Sequence, residues 1–205
     1  INIKSFVITS SSQSVSLKKD IDYVVHDKLD DKFKNYILKQ VEIDNTLFIS
    51  IESRNIFKKD IIDFLNNNLV NFHNFRLPLN AGGGGFSWQI LRDDRLHNSL
   101  VHLVDEGIDT GPIIDHETTI VPNSCITPKD WDKYDLERFE IFYKQLIKKI
   151  TESKDLYLQP QPRYLGSYQP RLSTPHNGFI DWSLESHSLA SFINAFDDPF
   201  EGAST

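Results

Sequence analysis

Residues 46–73 read TLFISIESRNIFKKDIIDFLNNNLVNFH, and the fold turns on them. Residues 46–51 form a nearly continuous apolar run, the composition of a strand covered on both faces of a parallel sheet. Residues 60–65 follow at helical spacing, and residues 69–72 (LVNF) make a second buried strand. Strand, helix and strand in such close order predict an α/β architecture, a mostly parallel sheet with right-handed crossovers. Upstream, residues 3–9 and 22–26 read as strands and the Ser-rich stretch 10–16 as a loop. Residues 32–41 read as an amphipathic helix through Phe33, Tyr36, Ile37 and Val41. Downstream come a Gly-rich loop at 82–85, a helix at 87–92 and strands at 99–105 and 113–121. A long helix at 131–151 carries Leu136, Phe139, Tyr143, Leu146, Ile147 and Ile150 on one face. Four prolines between 159 and 175 predict an extended surface linker. After it, residues 184–195 read as a helix with Ser183 as N-cap. The expected organisation is a compact catalytic region, 1–155, then a linker and the start of a C-terminal region, 156–205.

Composition narrows the function. The 205 residues carry 22 Lys plus Arg against 29 Asp plus Glu, a formal charge of −7, which disfavours non-specific binding to phosphate backbones. The single Cys125 excludes an internal disulfide framework and a cysteine-rich zinc module. No apolar run approaches the ~20 residues of a membrane helix. A cytoplasmic protein without membrane attachment is expected. The chain contains no Met and opens on a strand-like run, which suggests that a preceding segment is missing.

The densest polar cluster in an apolar setting is Asn71-Phe72-His73-Asn74, at the end of a predicted buried strand. In open α/β sheets ligands sit beyond the carboxyl ends of the strands. Period-two alternation sends Asn71 and His73 to the same side. The acidic turn at 105–111 (DEGIDTG) follows the strand that ends at Val104. An amide, an imidazole and a carboxylate together suit attack of an amine on a carbonyl, which needs an oxyanion donor and a proton acceptor. The plainer alternative is that His73 caps a strand and Asp109 shapes a turn. Gly82 to Gly85 lacks the Gly-Lys-Ser/Thr of a phosphate loop, so these glycines serve a tight turn or a close backbone approach to substrate. Arg76, beside the cluster, could meet a phosphate or carboxylate. His97, His102 and His116 lack metal-ligand spacing, so no metal site is expected. Trp88 and Trp182 read as packing residues, and Lys144, Lys148 and Lys149 as a solvated helix face.

Asn71-x-His73, then Leu77-Pro78, the Gly-rich loop and His102-x-Val104-Asp105-x-Gly107-x-Asp109-x-Gly111 together resemble the folate-dependent formyltransferases. The family's H-P-S-L-L-P is here His73-Asn74-Phe75-Arg76-Leu77-Pro78, which keeps the histidine and changes the loop. The resemblance implies a Rossmann-like formyltransferase domain, its first βα unit missing here, with 10-formyltetrahydrofolate as formyl donor. It further implies that Asn71 polarises the formyl oxygen, that His73 assists the addition, and that Asp109 holds His73 or a proton-relaying water. Glu52, Ser53, Arg54, Asn55, Ile56, Asp105 and Gly107 become the candidate folate contacts, and Arg76, Gly83 and Gly84 the candidate acceptor contacts. The segments 178–183 and 192–203 resemble the linker region of methionyl-tRNA and sugar N-formyltransferases. The acidic balance then favours a nucleotide-linked amino sugar over tRNA as acceptor. A catalytically silent binding module on the same fold is the alternative of another class. The sequence leaves the oligomeric state open, a homodimer included.

Overall fold

The computed structural model describes residues 7–14, 22–53, 55–83, 85–152 and 156–205. In chain order the elements are β1 (Val7–Thr9), α1 (Ser11–Ser14), β2 (Tyr23–Val25), α2 (Asp31–Gln40), β3 (Phe48–Ile51), α3 (Lys59–Phe64), β4 (Leu69–His73), β5 (Ala81–Gly82) and α4 (Ser87–Leu91). There follow β6 (Leu96–Leu103), β7 (Ile113–Ile120), α5 (Pro128–Thr151), β8 (Tyr168–Gln169), α6 (Thr174–Asn177) and α7 (Ser186–Ala195). The four-stranded sheet runs β3-β4-β6-β7, while β1 pairs with β2 and β5 with β8. Of the strand pairings among the described residues, β1–β2, β3–β4 and β5–β8 are parallel. The β4–β6 and β6–β7 pairings are antiparallel.

Helices cover both faces of the central sheet, which is why its strands read as apolar runs. On one face α5 lays Phe142 and Leu146 onto Val70, Phe72 and Val101. On the other, Phe33 and Ile37 of α2 and Ile61 of α3 pack with Leu65 and Leu69. α2 begins where the Asp30 carboxylate accepts from the Lys32 and Phe33 amides, and α5 begins with a full capping box between Thr127 and Asp130. A third cluster gathers Phe86 and Ile90 with Trp131, Ala195 and Phe196, so the C-terminal helix α7 closes the core next to α4.

Several local expectations change for tertiary reasons. Ser11–Ser14 is a helical turn within the predicted serine loop, because the Ser11 amide and hydroxyl both donate to the distant Asp27 carboxylate, at 2.7 and 2.6 Å. Residues 3–6, 15 and 16 of the predicted strand and loop lie outside the described residues. α7 starts at Ser186, and Ser183 is not its cap, since the Ser183 amide and hydroxyl both donate to Asp181. Trp182 is 62% exposed instead of packed, its Nε1 donating to Thr205 Oγ1. The proline-rich stretch is no free linker: Gln159 exchanges two backbone hydrogen bonds with Ile113, and β8 joins β5. No helix among the described residues is long and apolar enough to cross a membrane.

Leu146, 1% exposed beneath the sheet, is the test of the α5 interface. Leu146→Ala should cost about 2–5 kcal/mol in urea unfolding, with the m-value retained.

Candidate active site

β4 supplies the centre of the site. Its antiparallel pairing with β6 sets Asn71 opposite His102 and His73 opposite Leu100, so these side chains share the sheet face away from α5. On the far side of β6 the register with β7 shifts between Val101 and His102. Ile114 is thus left over as a bulge at the residue that must be aimed.

Hydrogen bonding fixes the protonation pattern. His102 Nδ1 lies 2.7 Å from the Leu103 carbonyl. A carbonyl only accepts, so Nδ1 carries the proton and Nε2 keeps its lone pair. That lone pair receives the Asn71 Nδ2 amide at 3.3 Å, which sets the amide's orientation and leaves a second N–H to donate. His73 Nε2 stands 3.4 Å from the Asn80 carbonyl, so Nδ1 is its basic nitrogen. The two rings approach edge to face, with centroids 6.3 Å apart. Burial is the first cause that pushes both imidazoles below the ordinary histidine value, opposed by the negative charge of Asp109.

Asp109 arrives from the turn between β6 and β7. Asp105 Oδ1 accepts from the Gly107 amide at 3.1 Å and the Thr110 hydroxyl at 2.6 Å. At Gly111 a Cβ would lie 1.8 Å from the Leu103 carbonyl oxygen, so only glycine fits there. These restraints turn the chain sharply and hold Asp109 at φ 55°, a left-handed conformation that Asp tolerates better than most residues. The Asp109 carboxylate accepts the Gly82 amide at 2.9 Å through Oδ2, and its Oδ1 lies 3.8 Å from His102 Nε2.

Asn71, His73 and Asp109 all line one cavity of about 560 Å³. Among the candidate folate contacts, Glu52, Ser53, Asn55, Ile56, Asp105 and Gly107 line it, as does the candidate acceptor contact Gly83. Arg76 is exposed and does not line it. Arg54 and Gly84 lie outside the described residues. Two buried hydroxyls on its wall, Ser50 and Ser99, have no hydrogen-bond partner. No group of His, Cys, Asp and Glu suited to a metal occurs among the described residues.

Residue-by-residue reading missed His102, which sat inside a quoted motif without a role, and the cluster behind β4. There Asp135 of α5 binds His97 Nε2 at 2.6 Å and accepts from Asn74 Nδ2 at 3.3 Å. Nearby Asp132 keeps one side open to solvent, yet desolvation, then the charges of Asp135 and Glu52, push its carboxyl up to about 6. Asp135 had no signal to find it, being one acidic residue among many on a charged helix.

No protein-family model matches the chain. The methionyl-tRNA formyltransferase of Syntrophus aciditrophicus is 27% identical over 160 residues, covering 73% of this chain and 47% of that protein. The chain thus spans about half the length of the curated relatives it matches. Among solved structures, WlaRD, a sugar 3N-formyl transferase crystallised with dTDP and 5-N-formyl-THF, superimposes with a TM-score of 0.62 at 28% identity. It covers 73% of this chain and 53% of that one. The N-formyltransferase from Helicobacter canadensis, in complex with folinic acid and dTDP-3-aminofucose, gives 0.63 at 27% identity, covering 73% and 54%. The likeness to the folate-dependent formyltransferases therefore holds in sequence and in fold.

The depressed imidazoles make stability depend on pH. An unfolded histidine takes its proton near about pH 6.5, whereas folded His73 and His102 take theirs only lower. Below that pH the unfolded state binds more protons, so stability is complete above it and declines as pH falls. Asp132 titrates with the opposite sign, so the comparison belongs in an Asp132→Asn background. There the urea midpoint should fall between about pH 7.5 and about pH 5.5, and His73→Gln should flatten that fall.

Proposed function

We propose that the chain is the catalytic part of a folate-dependent N-formyltransferase. It carries the formyl group of 10-formyltetrahydrofolate to a primary amine, the amino group of a nucleotide-linked amino sugar. One observation carries the reading: an amide donor, a neutral imidazole and a carboxylate, distant in sequence, line the same cavity.

The cavity suits the donor. Its volume lies within the range of about 300–1,000 Å³ usual for small-molecule sites. Ile51, Ile56, Val104 and Ile108 offer apolar walls for a flat ring, and the unpartnered Ser50 hydroxyl offers it a polar contact. When bound, 10-formyltetrahydrofolate supplies the one-carbon unit.

Asn71 directs its remaining N–H at the formyl oxygen and takes up the negative charge that develops as the amine nitrogen bonds to the formyl carbon. His73, neutral because it is desolvated, accepts at Nδ1 the proton that the amine nitrogen sheds, then returns it to N10 of the folate as the carbon–N10 bond breaks. Asp109 stabilises the transient imidazolium by its charge and cannot swing away, since Gly82 holds its Oδ2. His102 stays neutral and keeps Asn71 turned correctly.

The charged side chains on the described cavity wall are Glu52, Asp105, Asp109 and Asp135, with no Lys or Arg among the described lining residues. Such a wall draws an amine inward and leaves the phosphates of its carrier outside. Among the lysines on α5, Lys144 pairs with Glu140, Lys148 with Glu152 and Lys149 with Asp115. Those pairs and the −7 charge favour the sugar. The solved relatives that carry dTDP or a dTDP-amino sugar support the same choice. Methionyl-tRNA is the second acceptor to test, because the curated relatives include methionyl-tRNA formyltransferases.

The assay is incubation with 10-formyltetrahydrofolate and either dTDP- or UDP-linked amino sugars or methionyl-tRNA, following formylated product by mass and released tetrahydrofolate by absorbance. A sugar should be formylated, and His73→Ala or Asp109→Asn should cut turnover by about a hundredfold or more with an unchanged circular dichroism spectrum. Formylation of the tRNA alone would transfer the assignment to that acceptor. Neither folate binding nor turnover with any amine would mean a silent module.

A further inference from the structure

The proline-rich segment 159–171 borders the site, with Tyr168 on the cavity wall, and its glutamines at 161 and 169 reach different halves of the catalytic group. Gln161 Nε2 donates both its hydrogens, to the Asp109 carbonyl at 3.0 Å and the Gly111 carbonyl at 2.6 Å. The amide cannot sit the other way round, because Oε1 would then face two carbonyl oxygens. Its Oε1 is instead buried without a partner, a cost that makes sense where the two donated bonds are needed. They pin the carbonyl of the very residue that sits at φ 55°.

Gln169 is 4% exposed and its Nε2 donates to Asn80 Oδ1 at 2.8 Å. Asn80 is the residue whose carbonyl faces His73 Nε2. Between these points the segment is laced to the loop after β4. The Ala81 amide donates to the Ser167 carbonyl at 3.0 Å, and the Ser167 amide to the Pro78 carbonyl at 3.1 Å. β8 pairs with β5 through Gly82 and Gln169. Gly82 is also the residue whose amide holds Asp109 Oδ2. At Gly82, with φ 97°, a Cβ would stand 2.4 Å from the Tyr168 ring and 2.8 Å from the Gln169 carbonyl oxygen. The close approach of strap and loop therefore requires glycine there.

We propose that this segment is a strap that positions the catalytic pair, with Gln161 setting Asp109 and Gln169 setting His73 through Asn80. The inference rests on the formyltransferase reading for its activity arm, and concerns how that site is held. Its physical basis is that Gln161 holds the main chain at Asp109, and Gln169 holds the side chain of Asn80, whose carbonyl faces His73, so the two fix where the carboxylate and imidazole stand. A displacement on the order of 1 Å costs an active site up to about a hundredfold in rate. The prolines suit the task, since a chain with fixed φ loses less entropy on being bound beside the site.

The experiment is Gln161→Leu in the full chain, with Gln169→Leu as second variant and Tyr164→Ala, an exposed ring on the same segment, as control. Gln161→Leu should lower kcat by about tenfold or more, with the KM for 10-formyltetrahydrofolate essentially unchanged. Gln169→Leu should act in the same sense and more weakly, and the control should match wild type. Amide hydrogen exchange gives a readout independent of turnover. Protection of the Gly82 amide and of residues 105–111 should drop in Gln161→Leu, while α5 keeps its protection. Unchanged kcat and exchange, or a loss of protection that extends through α5 with a fall in melting temperature, would each overturn the strap as a positioning device. Should wild type formylate nothing, the functional reading falls while the exchange comparison still decides the strap.

Discussion

The site depends on the antiparallel pairing of β4 with β6. It sets Asn71 opposite His102 at the carboxyl end of a buried strand, where the next residues leave the sheet and their polar groups can turn toward a ligand. From that register a short chain of donors and acceptors follows. The Leu103 carbonyl fixes the His102 tautomer, the bare His102 nitrogen fixes the Asn71 amide, and the amide is left with one hydrogen to give. A slip of one residue would send Asn71 and His73 to the α5 face, among Phe72 and Phe142. The aromatic packing of α5 against Val70 and Phe72 thus does more than fill a core, because it forbids that slip.

Electrostatics explains how neutral imidazoles and carboxylates share one site. Burial favours the neutral form of His73 and His102, so in the proposed reaction the Asp109 carboxylate is left available to a cation that forms on the way. A fixed ion pair at that point would be spent in the ground state, whereas a charge that finds its partner only later stabilises the transition state selectively. Under the proposed function, the four carboxylates on the described wall would attract an amine and leave an anionic carrier outside.

Much of the fold was legible in particular residues. The runs at β3 and β4 were read from apolar composition, and the Phe33-Ile37 stripe of α2 and part of the α5 face from periodicity; on α5 the expected Leu136 is 68% exposed and the buried Phe142 went unread. Asn71 and His73 followed from alternation on a strand, and Asp109 from the family resemblance that the Asp-x-Gly-x-Asp-x-Gly turn carries. That turn is a local object, tied by Asp105 to Gly107 and Thr110 within five residues. Elements made by distant partners were not legible. α1 exists where Asp27 accepts from Ser11, and the two-residue strands β5 and β8 have no length over which a period could show.

The sequence by itself determined the α/β class, the order of the strands' apolar runs and the identity of the polar residues at the end of β4. These depend on contacts between near neighbours or on which side chains avoid water. Only the tertiary structure decided that His102 stands between Asn71 and Asp109, that Asp135 reaches Asn74 from α5, and that a proline-rich stretch resembling a linker is bound beside the site. Each of those is a contact between groups on different elements. Such a contact is specified by where whole elements come to rest, a position that no local pattern of residues records.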